Sequence, residues 1–245
     1  MSRIRVTFLG TGNAFADGGR SNACILVQAS GVALLLDCGG SALPMLKRHA
    51  DPAAVDAVVV SHLHGDHFGG LPYLVIEQHY AGRKRPLAVA GPRALAERLT
   101  AADLALYPDF YGKPGQPAFA VEHHAFGGEL ALGAARVEAL PVRHVPLSDP
   151  HGVRVRIGET LLAYSGDAIW SDELPRVAKG ADLFICEATN FSLDDPSHIS
   201  YRTLMAHRKE LDCARIVVTH LGADTLAHLD EVELEHAEDG ASLTI

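Results

Sequence analysis

Between residues 58 and 70 the chain reads VVVSHLHGDHFGG, which puts His62, His64, Asp66 and His67 together at the end of an apolar run. Imidazoles this dense are costly to desolvate unless something binds them. In extended backbone, side chains two apart point the same way, so His62 and His64 aim at one point just past a strand. Gly65 permits a tight turn, after which Asp66 and His67 can serve a second point close by.

Matching groups stand at the ends of later apolar runs. His144 closes ARVEALPVRH, Asp167 closes TLLAYSGD and His220 closes RIVVTH. Taken singly, a histidine at a strand end is ordinarily structural, and an aspartate after Ser-Gly equally well closes a turn. Beside the first cluster they complete a set of imidazoles and carboxylates without thiolates, which suits Zn²⁺, with Mn²⁺ and Fe²⁺ as alternatives. The expectation is two divalent ions roughly 3.5–4 Å apart, sharing one aspartate and one hydroxide. Two dications against Asp66, Asp167 and the hydroxide leave such a core near one net positive charge, which attracts an anion and keeps the nucleophile ionised at neutral pH.

These residues need a scaffold of strand ends. Strands are expected over 4–10, 23–28, 31–37 and 54–61, then near 119–123, 134–142, 152–157 and 160–165, with buried strands at 181–188 and 214–220. GGLPYLVIEQHY (69–80), with Pro72 in its first turn, and PRALAERLTAADL (92–104) read as helices. Further helices are expected over 200–211 and 230–237, and 106–118 reads as an irregular loop. Strands interspersed with helices around one core indicate a layered α/β protein, with residues 1–245 as one domain.

The 245 residues are 48% hydrophobic and carry a net charge of −9, an acidic balance that argues against a surface built to grip long polyanions. The four cysteines contain no CxxC pair, so neither a disulfide framework nor a thiolate zinc knuckle is expected. No apolar run approaches the roughly 20 residues that span a bilayer, and MSRIRVTFLGTG reaches glycine too soon for a signal-peptide core. A cytoplasmic protein without membrane contact is the expectation.

The order GTGNAF (10–15), LLLDCG (34–39), SHLHGDHFGGLP (61–72), His144, Asp167 and His220 resembles the metallo-β-lactamase superfamily over nearly the whole chain. The resemblance implies a four-layer αββα sandwich with the site at one edge of the sheets. It implies that His62, His64 and His144 hold one ion, that Asp66, His67 and His220 hold the other, and that Asp167 bridges them. Asp37 would orient a ligand histidine, although a turn-capping role fits the sequence as well.

FICEATNF (184–191) followed by DDPSHIS (194–200) is similar to elements of the ribonuclease Z and small-phosphodiesterase branch. That branch implies phosphodiester hydrolysis by attack of a metal-bridging hydroxide, with His198 as the catalytic histidine, Glu187 orienting it and Asp66 accepting the nucleophile's proton. It also implies a homodimer, although no patch in the sequence shows one. The competing role for His198 is an exposed loop histidine beside Asp194 and Asp195.

The 106–118 segment is short and carries one lysine, and GRKRP (82–86) is the one tight basic run, readable as a solvated turn. A long Gly/Pro-rich arm for tRNA is absent from the sequence. The expected substrate is therefore a small or cyclic phosphodiester or nucleotide rather than long nucleic acid. A lactone or thioester hydrolase on the same scaffold, and a tRNA 3′-processing endoribonuclease without the arm, are the alternatives. Arg143, Arg154 and His151 are candidate pocket residues, and Tyr107, Phe110 and Tyr111 either cover the site or anchor their loop.

Overall fold

The computed structural model describes residues 3–193 and 195–245; Asp194 lies outside the described residues. The first sheet takes β1 (Arg5–Gly10), β2 (Cys24–Ala29), β3 (Val32–Leu36), β4 (Ala57–Val59), β5 (Leu87–Gly91) and β6 (Val121–Ala125). The second takes β7 (Leu130–Leu132), β8 (Ala135–Pro141), β9 (His151–Ile157), β10 (Thr160–Tyr164), β11 (Leu183–Glu187), β12 (Ile216–Thr219) and β13 (Glu235–His236). A last strand, β14 (Ser242–Thr244), returns to the outer edge of the first sheet beside β1.

The continuous apolar runs are strands covered on both faces, as expected for the parallel part of such sheets. In β3, Leu34 and Leu36 point into the core between the sheets, whereas Leu35 points into an outer core. In β11, Leu183 and Ile185 face the inner core, and Phe184 and Cys186 face the other outer core. Over the first sheet lie α1 (Ala42–His49), α2 (Gly65–Phe68), α3 (Leu71–Tyr80), α4 (Leu95–Leu106) and α5 (Pro108–Tyr111). Over the second lie α6 (Glu173–Ala178), α7 (Tyr201–Ala206) and α8 (Ala223–Ala227). Three stacked apolar layers therefore separate helix, sheet, sheet and helix, the αββα sandwich.

Within the first sheet β3, β4 and β5 run parallel, and within the second β10, β11 and β12 do. Their C-terminal ends deliver Asp37, the Ser61–His67 segment, Asp167, Glu187 and His220 to one edge of the sandwich. Among the described residues no helix is long and apolar enough to cross a membrane.

Three expectations for local structure are corrected. Residues 230–237 form a short 3-10 turn (Leu229–Glu231) and then β13, which pairs in parallel with β12. The helix expected at 200–211 ends at Ala206 and continues as a separate 3-10 turn. The 106–118 segment contains α5, and its aromatics anchor it: Phe110 is buried, its ring centroid 4.9 Å from that of His79, and the Tyr111 hydroxyl donates to the Pro72 carbonyl at 2.7 Å.

Candidate metal centre

All seven predicted ligands converge at the sheet edge. Nδ1 of His64 lies 3.1 Å from Nε2 of His62 and 3.1 Å from Nε2 of His144, and Oδ2 of Asp167 is 3.7 Å and 3.9 Å from those two Nε2 atoms. Beside this group, Nε2 of His67 is 3.3 Å from Nε2 of His220, from Oδ2 of Asp66 and from Oδ2 of Asp167. Each group could hold a metal ion, and Asp167 belongs to both.

The donor set fits cations rather than a hydrogen-bond network. A tetrahedral ion with nitrogen and oxygen ligands at roughly 2.0–2.1 Å holds them about 3.3 Å apart. The ring nitrogens that face one another also have their opposite nitrogens committed. Nδ1 of His67 donates to Oδ2 of Asp37 at 2.7 Å, and Nδ1 of His144 donates to the Ser197 carbonyl at 2.6 Å. That tautomer leaves bare lone pairs on Nε2, turned toward other lone pairs. Asp167 Oδ1 is buried with no hydrogen-bond partner. A shared cation relieves both problems.

Two buried carboxylates and two hydroxyls fix the rings of His62 and His220. Ser61 donates its hydroxyl to Oδ2 of Asp37 at 2.9 Å, and that oxygen atom of Ser61 lies 3.1 Å from Nδ1 of His62. Thr189 donates to Oε2 of Glu187 at 2.7 Å and lies 2.9 Å from Nδ1 of His220. Each hydroxyl has one proton, given to the carboxylate, so its oxygen accepts the imidazole N–H. Asp37 also accepts from the Ser61 amide at 2.7 Å and from the Tyr164 hydroxyl at 2.9 Å, and is fully buried. Its orienting role, rather than turn capping, is what the geometry supports.

The backbone is bent to reach this arrangement. Asp37 and His220 both have left-handed φ, 59° and 57°, a strained state for residues with side chains that persists only where surroundings hold it. Gly166, with φ of 59°, sits where an added Cβ would lie 2.9 Å from the His151 carbonyl oxygen and 3.0 Å from Cβ of Ser61. A side chain there would push Asp167 off the site.

His198 and Glu187 are adjacent to the cluster. Nδ1 of His198 is 3.0 Å from Oε1 of Glu187, and that oxygen also accepts the Ala168 amide at 2.7 Å. Burial lowers the His198 pKa, but Glu187, then Asp167 and Asp195, more than reverse this and bring it to about 9. Burial likewise lowers His62, reinforced by His67, and lowers His64, reinforced by His144. Burial raises Asp66, yet the neighbouring His67 and His220 hold it well below the usual carboxylate range.

A cavity of about 310 Å³ opens onto the site, lined by Phe15, Asp17, Asp66, Asn190, Asp195, His198 and neighbours, with no lysine or arginine among the described residues of its wall. The other candidates lie outside that wall. Arg154 donates to the Val177 carbonyl at 2.6 Å and pairs with Glu138, Arg143 faces Glu173, and His151 donates to the Asp149 carbonyl at 2.8 Å. In the basic run, Arg83 is buried and bonded to the Val55 and Pro86 carbonyls, and Arg85 pairs with Asp56. Sequence reasoning missed Ser61, Thr189, Tyr164 and the Ser197 carbonyl. All four lay in stretches already singled out, Ser61 in SHLHGDHFGGLP, Tyr164 in TLLAYSGD, Thr189 in FICEATNF and Ser197 in DDPSHIS, but nothing there marked them as partners of the histidines.

The layers and the edge site define a metallo-β-lactamase fold, which agrees with YhfI of Bacillus subtilis, a protein of that fold: TM-score 0.80, 22% identity, with all of both chains covered. The chain belongs to the family described as Anti-Pycsar protein Apyc1, whose model matches residues 4–237. It is 34% identical over 196 residues to an uncharacterised protein of Mycobacterium tuberculosis strain H37Rv, covering 76% of this chain and 68% of that one. It is also 26% identical to the Ribonuclease Z of Methanosarcina acetivorans, covering 94% and 90%.

Proposed function

We propose that the protein is a metal-dependent phosphodiesterase for a small or cyclic phosphodiester or nucleotide. His62, His64, His144 and Asp167 would hold one ion; Asp66, His67, His220 and Asp167 the other, with Zn²⁺ the best match to the ligands. When bound, the ions supply Lewis acidity toward the phosphoryl oxygens and lower the pKa of water to roughly 7.

The chain's own residues do the rest. Asp37, Ser61, Thr189 and the Ser197 carbonyl hold the imidazoles of His67, His62, His220 and His144 in one tautomer and orientation. Asp66 remains ionised at the cavity and is placed to accept a proton from the attacking water. The His198–Glu187 pair is the observation that carries the phosphodiester reading. With Nδ1 engaged by Glu187, the protonated ring keeps its Nε2–H free to bond a phosphoryl oxygen or to protonate the leaving oxygen. A carbonyl hydrolase would leave that buried carboxylate and its cation without a task.

The relative named Ribonuclease Z supports diester chemistry, but the cavity wall argues for a small substrate. Asp17, Asp195 and Asp224 line it, and among the described lining residues no lysine or arginine joins His198, so phosphates beyond the one His198 meets would be repelled. The decisive assay compares bis(p-nitrophenyl) phosphate with lactone and thioester substrates on metal-loaded protein. Turnover of the diester alone is expected, and turnover of the carbonyl substrates alone would overturn the reading. A homodimer and a cytoplasmic setting remain part of the same proposal, tested by sedimentation and fractionation.

A further inference from the structure

Away from the metal site, a separate cavity of about 240 Å³ lies between α3, α4, β6 and the segment from Tyr111 to Pro117. Its apolar walls include Val75, Leu99, Leu104 and Val121. Two side-chain acceptors in its lining, Oδ1 of Asp103 and Oε1 of Gln116, are shielded from solvent with no hydrogen-bond partner. Buried acceptors in folded proteins are nearly always satisfied, so two in one chamber call for donors from outside the chain.

The two hydroxyls in the lining are already committed. The Tyr111 hydroxyl, within reach of Asp103, donates to the Pro72 carbonyl at 2.7 Å, and the Thr100 hydroxyl donates to the Ala96 carbonyl at 2.8 Å. Among the described residues no lysine or arginine lines the chamber. Water could meet the two oxygens, but over the apolar walls it would find no partners. What fits is a group with several N–H donors and positive charge, carried on an apolar body.

We propose that this cavity is a binding site for a small organic cation, an ammonium or amidinium head placed at Asp103 and Gln116 with an apolar body of about one ring against Leu99 and Val121. Burial raises the Asp103 carboxyl to about 7, poised to ionise when a cation arrives. Burial, then His124, lowers His123, so the one imidazole in the lining brings no competing charge at neutral pH. The inference is independent of the hydrolase reading.

Calorimetric titration of the metal-loaded, full-length protein tests it with benzylamine, benzamidine and the neutral benzyl alcohol. Both cations are expected to bind, with benzyl alcohol weaker by at least about tenfold. Asp103→Asn and Gln116→Leu should each weaken the cations by a similar factor while diester turnover is kept, and thermal melts confirm that each variant is folded. Failure of both cations to bind the wild type overturns the proposal. So does equal affinity for benzyl alcohol, or unchanged cation affinity in both folded variants.

Discussion

The carboxylate of Glu187 lies 3.0 Å from Nδ1 of His198, on a side chain sealed from solvent, while His198 itself lines the cavity. A buried anion with one ring of a solvent-facing histidine against it keeps that histidine charged. The pKa of His198 is raised in the folded protein, so the pair's stabilisation is complete below about 6.5 and is lost as pH rises through about 9. Activity that needs the cationic ring therefore has a falling limb on the alkaline side. Glu187→Gln removes the charge and should move that limb to lower pH, with metal content retained. A pH profile unchanged by Glu187→Gln would remove His198 from the chemistry.

Ser61 and Thr189 are predicted to govern metal affinity without touching an ion. Each passes its proton to a buried carboxylate and accepts an imidazole N–H. Ser61→Ala and Thr189→Val should lower metal affinity by about 10–100-fold, the usual effect of losing such a partner. Competition against a graded series of chelators measures this. Wild-type affinity in both variants would show that the rings orient themselves.

Gly39 is predicted to be intolerant of any side chain. A Cβ there would lie 2.1 Å from the Asp66 carbonyl oxygen and 2.5 Å from Cβ of Asn22. Gly39→Ala must push the Asp66 backbone, costing about 1–3 kcal/mol as other overpacked sites do, and weakening the ion held by Asp66, His67 and His220. Chemical denaturation and metal titration read the two effects separately. A fully stable variant with normal metal content would mean that the loop relaxes freely.

Phe15 is 85% exposed yet lines the cavity, an arrangement with no packing reason. If the substrate carries a base, Phe15→Ala should raise KM for a nucleoside phosphodiester by about five- to thirtyfold, the loss of one stacking contact. KM for a diester without an aromatic group should not move, and neither should Tm. An equal change for both substrates would make Phe15 a structural element of the loop instead.

The site was legible in the sequence where its chemistry was contiguous or strand-terminal. HLHGDH, His144, Asp167 and His220 each follow an apolar run, and apolar runs at this length announce strands whose ends must meet at a sheet edge. Beyond Asp37, the tautomer-fixing shell was not legible, because Ser61 and Thr189 act only through tertiary contact with Asp37 and Glu187, and serines and threonines are common beside any strand. Residues 230–237 read as a helix from their acidic faces, but two of them pair with β12 and tertiary pairing outweighs local propensity. The α1 helix was not among the expected elements; its Pro44 falls in the first turn, where the missing N–H costs no helix hydrogen bond.

Anomalous diffraction from crystals of zinc-loaded protein tests most directly whether seven side chains from both sheets serve one dinuclear centre. Two peaks are predicted, one among His62, His64, His144 and Asp167, the other among Asp66, His67, Asp167 and His220. Absence of any peak there, or zinc bound only elsewhere on the chain, would contradict the account.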